Sequence, residues 1–187
     1  MPLKPLSDNE IDDQQRALIA PFVRTGRDHA VFRTMLRHPD AMQAFLGWGQ
    51  YILSENNSLS SRQRELLILW VGAARNCEYE FLRHAKIARR LGFSEDELRR
   101  LATGDGSGWP ASEQLLLAAA DQLLTIGRVT EPTFAELITA IGEHSAIDLV
   151  WTVGQYAQVC MFLLTAGVTP DEDIADDPLR QFFTSVG

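Results

Sequence analysis

The chain has 187 residues, is 45% hydrophobic and carries a formal charge of −8, with an isoelectric point near 5.0. That composition supports one compact core and too little length for two ordinary domains, so residues 1–187 are read as a single domain. The acidic balance argues against a nucleic-acid partner, whose phosphates call for a basic stripe; the local basic run Arg83, Lys86, Arg89, Arg90, Arg99 and Arg100 reads as a solvated helix face.

In chain order, MPLKPLSDNEIDD has no apolar stretch of the kind a secretory signal needs. Amphipathic helical patterning then covers Asp12–Val23 and Asp28–Arg37. Pro39 suits the first position of a helix reaching Ser54 and carrying Met42, Phe45, Leu46, Trp48, Tyr51, Ile52 and Leu53. Gly47 and Gly49 cost that helix propensity, which close packing against another backbone would offset. Ser60 or Ser61 caps the next helix, with Gln63 or Arg64 three positions on. From Leu66 to Ala74 it is apolar all round, which requires burial on every side. Asn76 caps a helix from Cys77 to Leu91, stopped by Gly92. Ser94 and Glu97 form a capping box for SEDELRRLA, and GDGSGWP is a loop. Ser112–Ile126 ends at Gly127, a short helix runs from Thr130 to Ile141 with Pro132 in its first turn, and Ser145–Ala166 ends at Gly167. The tail mixes acids with Phe182 and Phe183. No strand alternation appears, so the expected fold is all-α. The longest apolar runs, Leu66–Val71 and Val159–Leu164, are too short to span a bilayer, and no membrane is expected. Two distant cysteines, Cys77 and Cys160, do not make a disulfide scaffold. A cytoplasmic location is expected, where Cys77 stays a thiol.

The chemistry concentrates between Glu65 and Leu91. On a helix turning about 100° per residue, Glu80, Phe81, His84, Ala88 and Leu91 fall within roughly 60° of Cys77. Arg83, Lys86, Arg89 and Arg90 fall on the other side. One face is therefore apolar except for a thiol, a carboxylate and an imidazole. A short turn makes the preceding helix an antiparallel neighbour, which brings Glu65 towards this face. Two carboxylates beside a histidine can divide proton duties in general acid–base work, around a shared pocket. Each residue also has a plain structural reading. Glu65 is equally a buried ion-pair partner of Arg62, Arg64 or His84; Cys77 is a small buried hydrophobe; His84 is a satisfied core histidine. Cys, Glu and His can ligate zinc, but the spacing lacks a dense Cys/His pattern, and no metal is expected. Cys160 reads as core, and Tyr156 as a core aromatic or a pocket wall. Trp70 and Trp151 read as packing, Trp109-Pro110 as a loop anchor, and His29, His38 and His144 as residues near helix starts.

The stretch LSSRQRELLILWVGAARNCEYEFLRHAKIARRLGFSEDEL resembles the carboxymuconolactone decarboxylase family, through Arg64-Glu65-Leu66, Cys77-Glu78-Tyr79-Glu80, His84 and Gly92-Phe93-Ser94. FRTMLRHPDAMQAFLGWGQYIL, LLLAAADQL and DLVWTVGQYAQVCMFLLTAGV extend the resemblance over residues 30–170. It implies the alkyl hydroperoxidase D-like helical fold, as a trimer, hexamer or dimer whose subunit contacts bury the helical hairpin. It also implies cofactor-free loss of CO2 from a small lactone or keto acid. His84 or Glu65 would then donate the proton, Glu80 would orient the histidine, and Arg62 would hold the substrate carboxylate. Alkyl hydroperoxidase D-like members carry a C-x-x-C pair on this helix, whereas this chain has Cys77 followed by Glu80. A thiol-dependent peroxidase therefore needs Cys160 brought close by folding or by a neighbouring subunit. A non-catalytic oligomer that binds a small molecule or a partner is the third reading.

Overall fold

Helix starts follow local side-chain chemistry. Asp12, Ser60 and Ser94 each accept a hydrogen bond from the backbone three residues on, and Gln15, Gln63 and Glu97 reach back to the cap's own N–H. These reciprocal boxes satisfy donors that a helix start leaves orphaned. The computed structural model describes residues 2–183, so the last four residues of the tail read above lie outside the described part. Its elements are α1 (Asp13–Arg24), α2 (Ala30–Met35), α3 (Pro39–Leu53), α4 (Ser61–Ala74), α5 (Glu78–Arg90), α6 (Glu95–Ala102), α7 (Ala111–Ile126), α8 (Glu131–Ile141), α9 (Glu143–Ala166) and a 3-10 helix, Pro178–Phe182. Among the described residues there is no strand, and the fold is all-α as expected.

Three boundaries differ from the sequence reading. The stretch expected over Asp28–Arg37 is helical only over Ala30–Met35. α9 begins before Ser145, because Gly142, at φ 84, serves both as the end of α8 and as the cap of α9. α5 begins at Glu78, with Cys77 itself as the cap. Asn76 takes a left-handed φ of 49 in the tight α4–α5 turn, which Asn tolerates better than most residues. The Cys77 N–H donates to the Gly72 carbonyl at 2.8 Å.

α4 is the central helix, packed on α5, α9, α7 and α6. Leu66 to Leu69 and Val71 are fully buried, as an all-round apolar helix demands. The close backbone approach lies at Gly72, where an added Cβ would sit 3.3 Å from the Phe81 nitrogen. It does not lie at Gly47 or Gly49: the first has nothing within 4 Å, and the second meets only the Gln155 side chain, at 4.0 Å. α9, 24 residues long, is long and apolar enough to cross a membrane by length and composition, yet 56% of its most apolar window is buried inside the protein. It serves here as a core helix against α4, α7 and α8. Asp148 ties its first turns to the α3–α4 segment, accepting from the Tyr51 hydroxyl and the Ser58 N–H, both at 2.6 Å.

The cationic side of α5 is not simply solvated. Arg83 donates to Asp171 at 2.6 Å and to Asp173 at 2.8 Å, Lys86 donates to Asp173 at 2.6 Å, and Arg89 joins Asp177 and Glu95. The acidic tail therefore lies along this face, with Ile174 and Leu179 buried beneath it. Two apolar expectations fail at the surface. Trp151 is half exposed, and Leu91, at the end of α5, is also exposed.

Candidate active site

α4 and α5 bring Glu65, Glu80 and His84 together. Glu80 and His84 are one turn apart on α5, so their side chains share a face. Glu65 comes from the facing side of α4. Glu65 Oε2 lies 2.7 Å from His84 Nδ1, and Glu80 Oε1 lies 3.1 Å from His84 Nε2. The imidazole is thus held at both nitrogens by carboxylates, and all three residues are at most 6% exposed. Burial alone would push the His84 pKa down. The charge and hydrogen bond of Glu65, then those of Glu80, overcome burial and raise it from 6.5 to about 10. His84 therefore carries its proton at neutral pH.

α9 closes the other side. The Tyr156 ring meets His84 edge-on, with centroids 5.0 Å apart. Burial first, then the charges of Glu80 and Glu65, push the Tyr156 phenol pKa up, against the pull of Arg64. Tyr156 is thus a buried aromatic beside His84.

Arg62 does not join the cluster. It pairs with Glu97, donates to Glu113 at 3.0 Å and stacks over the Phe93 ring at 4.1 Å. The buried cation on this side is Arg64, which donates to the Leu59 carbonyl at 2.7 Å and to Ser61 Oγ at 3.1 Å. Two residues along a helix amount to about 200° of rotation, so Arg62 and Arg64 cannot face the same way.

Cys77 and Cys160 are both buried and unbridged. Interaction with the Cys77 thiol, followed by burial, pushes the Cys160 pKa up against the pull of Arg75. Cys160 is core, as the sequence suggested. Arg64 was considered only as a partner for Glu65; its pull on Tyr156 was missed.

Glu65, Glu80 and His84 are buried where the sequence suggested a pocket. Hollows of about 540 Å³, lined by Glu78, Ala175 and Arg180, and of about 470 Å³, lined by Ser58, Ile141 and His144, both lie elsewhere. A separate group, His29, Asp171 and Asp173, has ligand atoms within 4.8 Å of one another. Arg83 and Lys86 already supply the positive charge that a cation would bring there.

Residues 39–121 match the Carboxymuconolactone decarboxylase family. Among curated proteins, none matches the sequence. Several solved structures share the fold. A peroxidase-related protein from Ralstonia eutropha JMP134, described as an alkylhydroperoxidase AhpD core, is 19% identical with a TM-score of 0.79, covering 94% of this chain and 96% of its own. A peroxidase-related protein from Silicibacter sp. TM1040 is 15% identical with a TM-score of 0.79, covering 93% and 95%. The debrominase Bmp8 is 16% identical with a TM-score of 0.75, covering 96% of each chain. At these identities the likeness is one of fold.

Proposed function

We propose that this chain, whose residues 39–121 match the Carboxymuconolactone decarboxylase family, is a thiol-dependent reductase of small electrophiles, with hydroperoxides as its substrate class. Cys77 is the nucleophile, and the Glu65–His84–Glu80 cluster handles the proton. The observation that carries this reading is an imidazole, clamped by two carboxylates, on the same helix as a thiol at its N-terminal cap. The Cys77 sulfur attacks the outer peroxide oxygen, the O–O bond breaks, the leaving alkoxide takes a proton from His84, and the proton given up by the Cys77 thiol replaces it. Cys77 becomes a sulfenic acid and the peroxide becomes an alcohol. Proteins of this fold include two described as peroxidase-related and one debrominase, a fold-level analogy in support.

The test is hydroperoxide consumption with a dithiol donor. Cys77→Ser is expected to abolish turnover, and His84→Gln to lower kcat by about a hundred- to ten-thousand-fold, the usual worth of a general acid. Turnover that survives Cys77→Ser overturns the reading.

A second reading, cofactor-free decarboxylation of a lactone acid, is favoured by one observation: the buried His84, paired with two carboxylates, shares the Tyr156 wall with the buried cation Arg64. In that reaction the imidazolium protonates the carbanion equivalent left by CO2, and Arg64, not Arg62, holds the substrate carboxylate. CO2 release from 4-carboxymuconolactone, lost in His84→Gln or Glu65→Gln but kept in Cys77→Ser, would select it.

A further inference from the structure

We propose that the acidic strap, residues 171–183, is a gate over Cys77: an ionic latch holds it on the start of α5, and release of that latch opens the way to the thiol. The inference rests on the reading of Cys77 as the reacting thiol and adds what controls its access.

Cys77 is 1% exposed, so a substrate reaches it only when something moves. The first turn of α5 points to the strap. Of the four residues after Cys77, Glu80 turns inward to His84, at 3.1 Å. The other three are held by the strap. Glu78 pairs with Arg180, the Tyr79 hydroxyl donates to Asp171 at 2.7 Å, and the Phe81 ring meets Phe183 with centroids 5.0 Å apart. The Phe81 N–H also closes this turn on the Cys77 carbonyl, at 3.1 Å. The hollow of about 540 Å³ lies at the same seam, with Glu78 on one side and Ala175, Asp177, Arg180 and Phe183 of the strap on the other. Glu78 is the chain neighbour of Cys77, with Cα atoms about 3.8 Å apart, so the hollow ends beside the thiol's own backbone. Lifting the strap extends that hollow inward.

The strap has a fixed end and a latched end. At the fixed end the Asp171 side chain is 19% exposed and accepts from the Ala30 N–H at 2.8 Å, from Tyr79 and from Arg83 at 2.6 Å. Beyond it the ties are ion pairs closer to water. Asp173, 41% exposed, takes Arg83 and Lys86, and Arg180, 53% exposed, takes Glu78. Asp177 takes Arg89. Such pairs weaken as salt shortens the screening length from about 10 Å at 0.1 M to about 3 Å at 1 M. The apolar anchors Ile174 and Leu179 keep the closed form dominant, but they are few, and a segment held mainly by exposed ties opens locally before the core does. The gate therefore answers to ionic strength and hinges at Asp171.

The test follows alkylation of Cys77 by iodoacetamide, a neutral reagent, in the reduced full-length protein. Peptide mass spectrometry reads Cys77 and Cys160 separately, with the buried Cys160 as the internal reference and the urea-unfolded chain at each salt as the standard for intrinsic reactivity. Raising KCl from about 0.1 M to about 1 M is expected to speed Cys77 about tenfold, the order that screening several such pairs gives, with Cys160 unchanged. Asp173→Asn combined with Arg180→Gln is expected to show the fast rate already at low salt and to lose most of the salt response. A Cys77 rate indifferent to salt, a variant as slow as the wild type at low salt, or a rise shared equally by Cys160 overturns the gate and leaves the reductase reading standing. A Cys77 that responds as expected in a protein that consumes no hydroperoxide sinks the reductase reading and leaves the gate. The wild-type salt series needs no variant to fold.

Discussion

Glu65→Gln separates the opposing pulls on His84. With one carboxylate gone, burial gains against Glu80 alone, and the histidine pKa is expected to fall from about 10. NMR titration of the ring checks this, and an unchanged pKa sinks the assignment. The same shift fixes a pH dependence of stability. The folded pKa lies above the ordinary 6.5, so the contribution is complete below about pH 6.5 and is lost as pH rises towards 10. Urea midpoints of the wild type are expected to fall across that window, and those of Glu65→Gln at lower pH. Leaving one member of such a buried pair alone is also expected to cost about 3–5 kcal/mol at neutral pH. Glu65, Glu80 and His84 were legible in sequence because helical periodicity singles out polar residues on apolar faces. Arg64 was not. It sits among several basic residues whose directions only the packed helix decides.

At the scale of elements, the α4–α5 hairpin depends on the missing side chain at Gly72. The neighbouring Phe81 atoms at 3.3–3.4 Å include backbone, which cannot simply rotate away. Gly72→Ala is expected to destabilise by about 1–3 kcal/mol through overpacking. Gly47→Ala, with open space around it, is expected to gain about 0.5–1 kcal/mol from helix propensity. Chemical denaturation of both variants tests the pair, and equal effects would refute the distinction. Ser60→Ala removes the box that starts α4 and should cost about 0.5–2 kcal/mol. Capping boxes were readable because they are local in sequence. The left-handed Asn76 moved the cap of α5 to Cys77, a shift of one residue set by the geometry of the turn between two packed helices.

At the scale of the whole molecule, α9 keeps a second apolar side that this chain does not cover. Ile147, Trp151, Met161 and Leu164 on α9 are all exposed, and Trp48 on α3 meets Trp151 edge-on at 5.6 Å. Apolar exposure of this kind marks a contact surface, and a second copy of the chain is the expected occupant. Light scattering is expected to give a mass that is a multiple of 20.9 kDa, and Trp151→Glu to shift it towards one chain. A monomeric wild type would refute this. The sequence by itself determined the helices, the buried character of α4 and the carboxylate–imidazole face of α5, because caps and the 3.6-residue period are local signals. Tertiary structure alone decided that Arg62 turns to Glu97 and Glu113, and that the acidic tail covers the basic side of α5. Those contacts join residues distant in sequence, and they depend on how each helix is rotated against its neighbours, which no local pattern encodes.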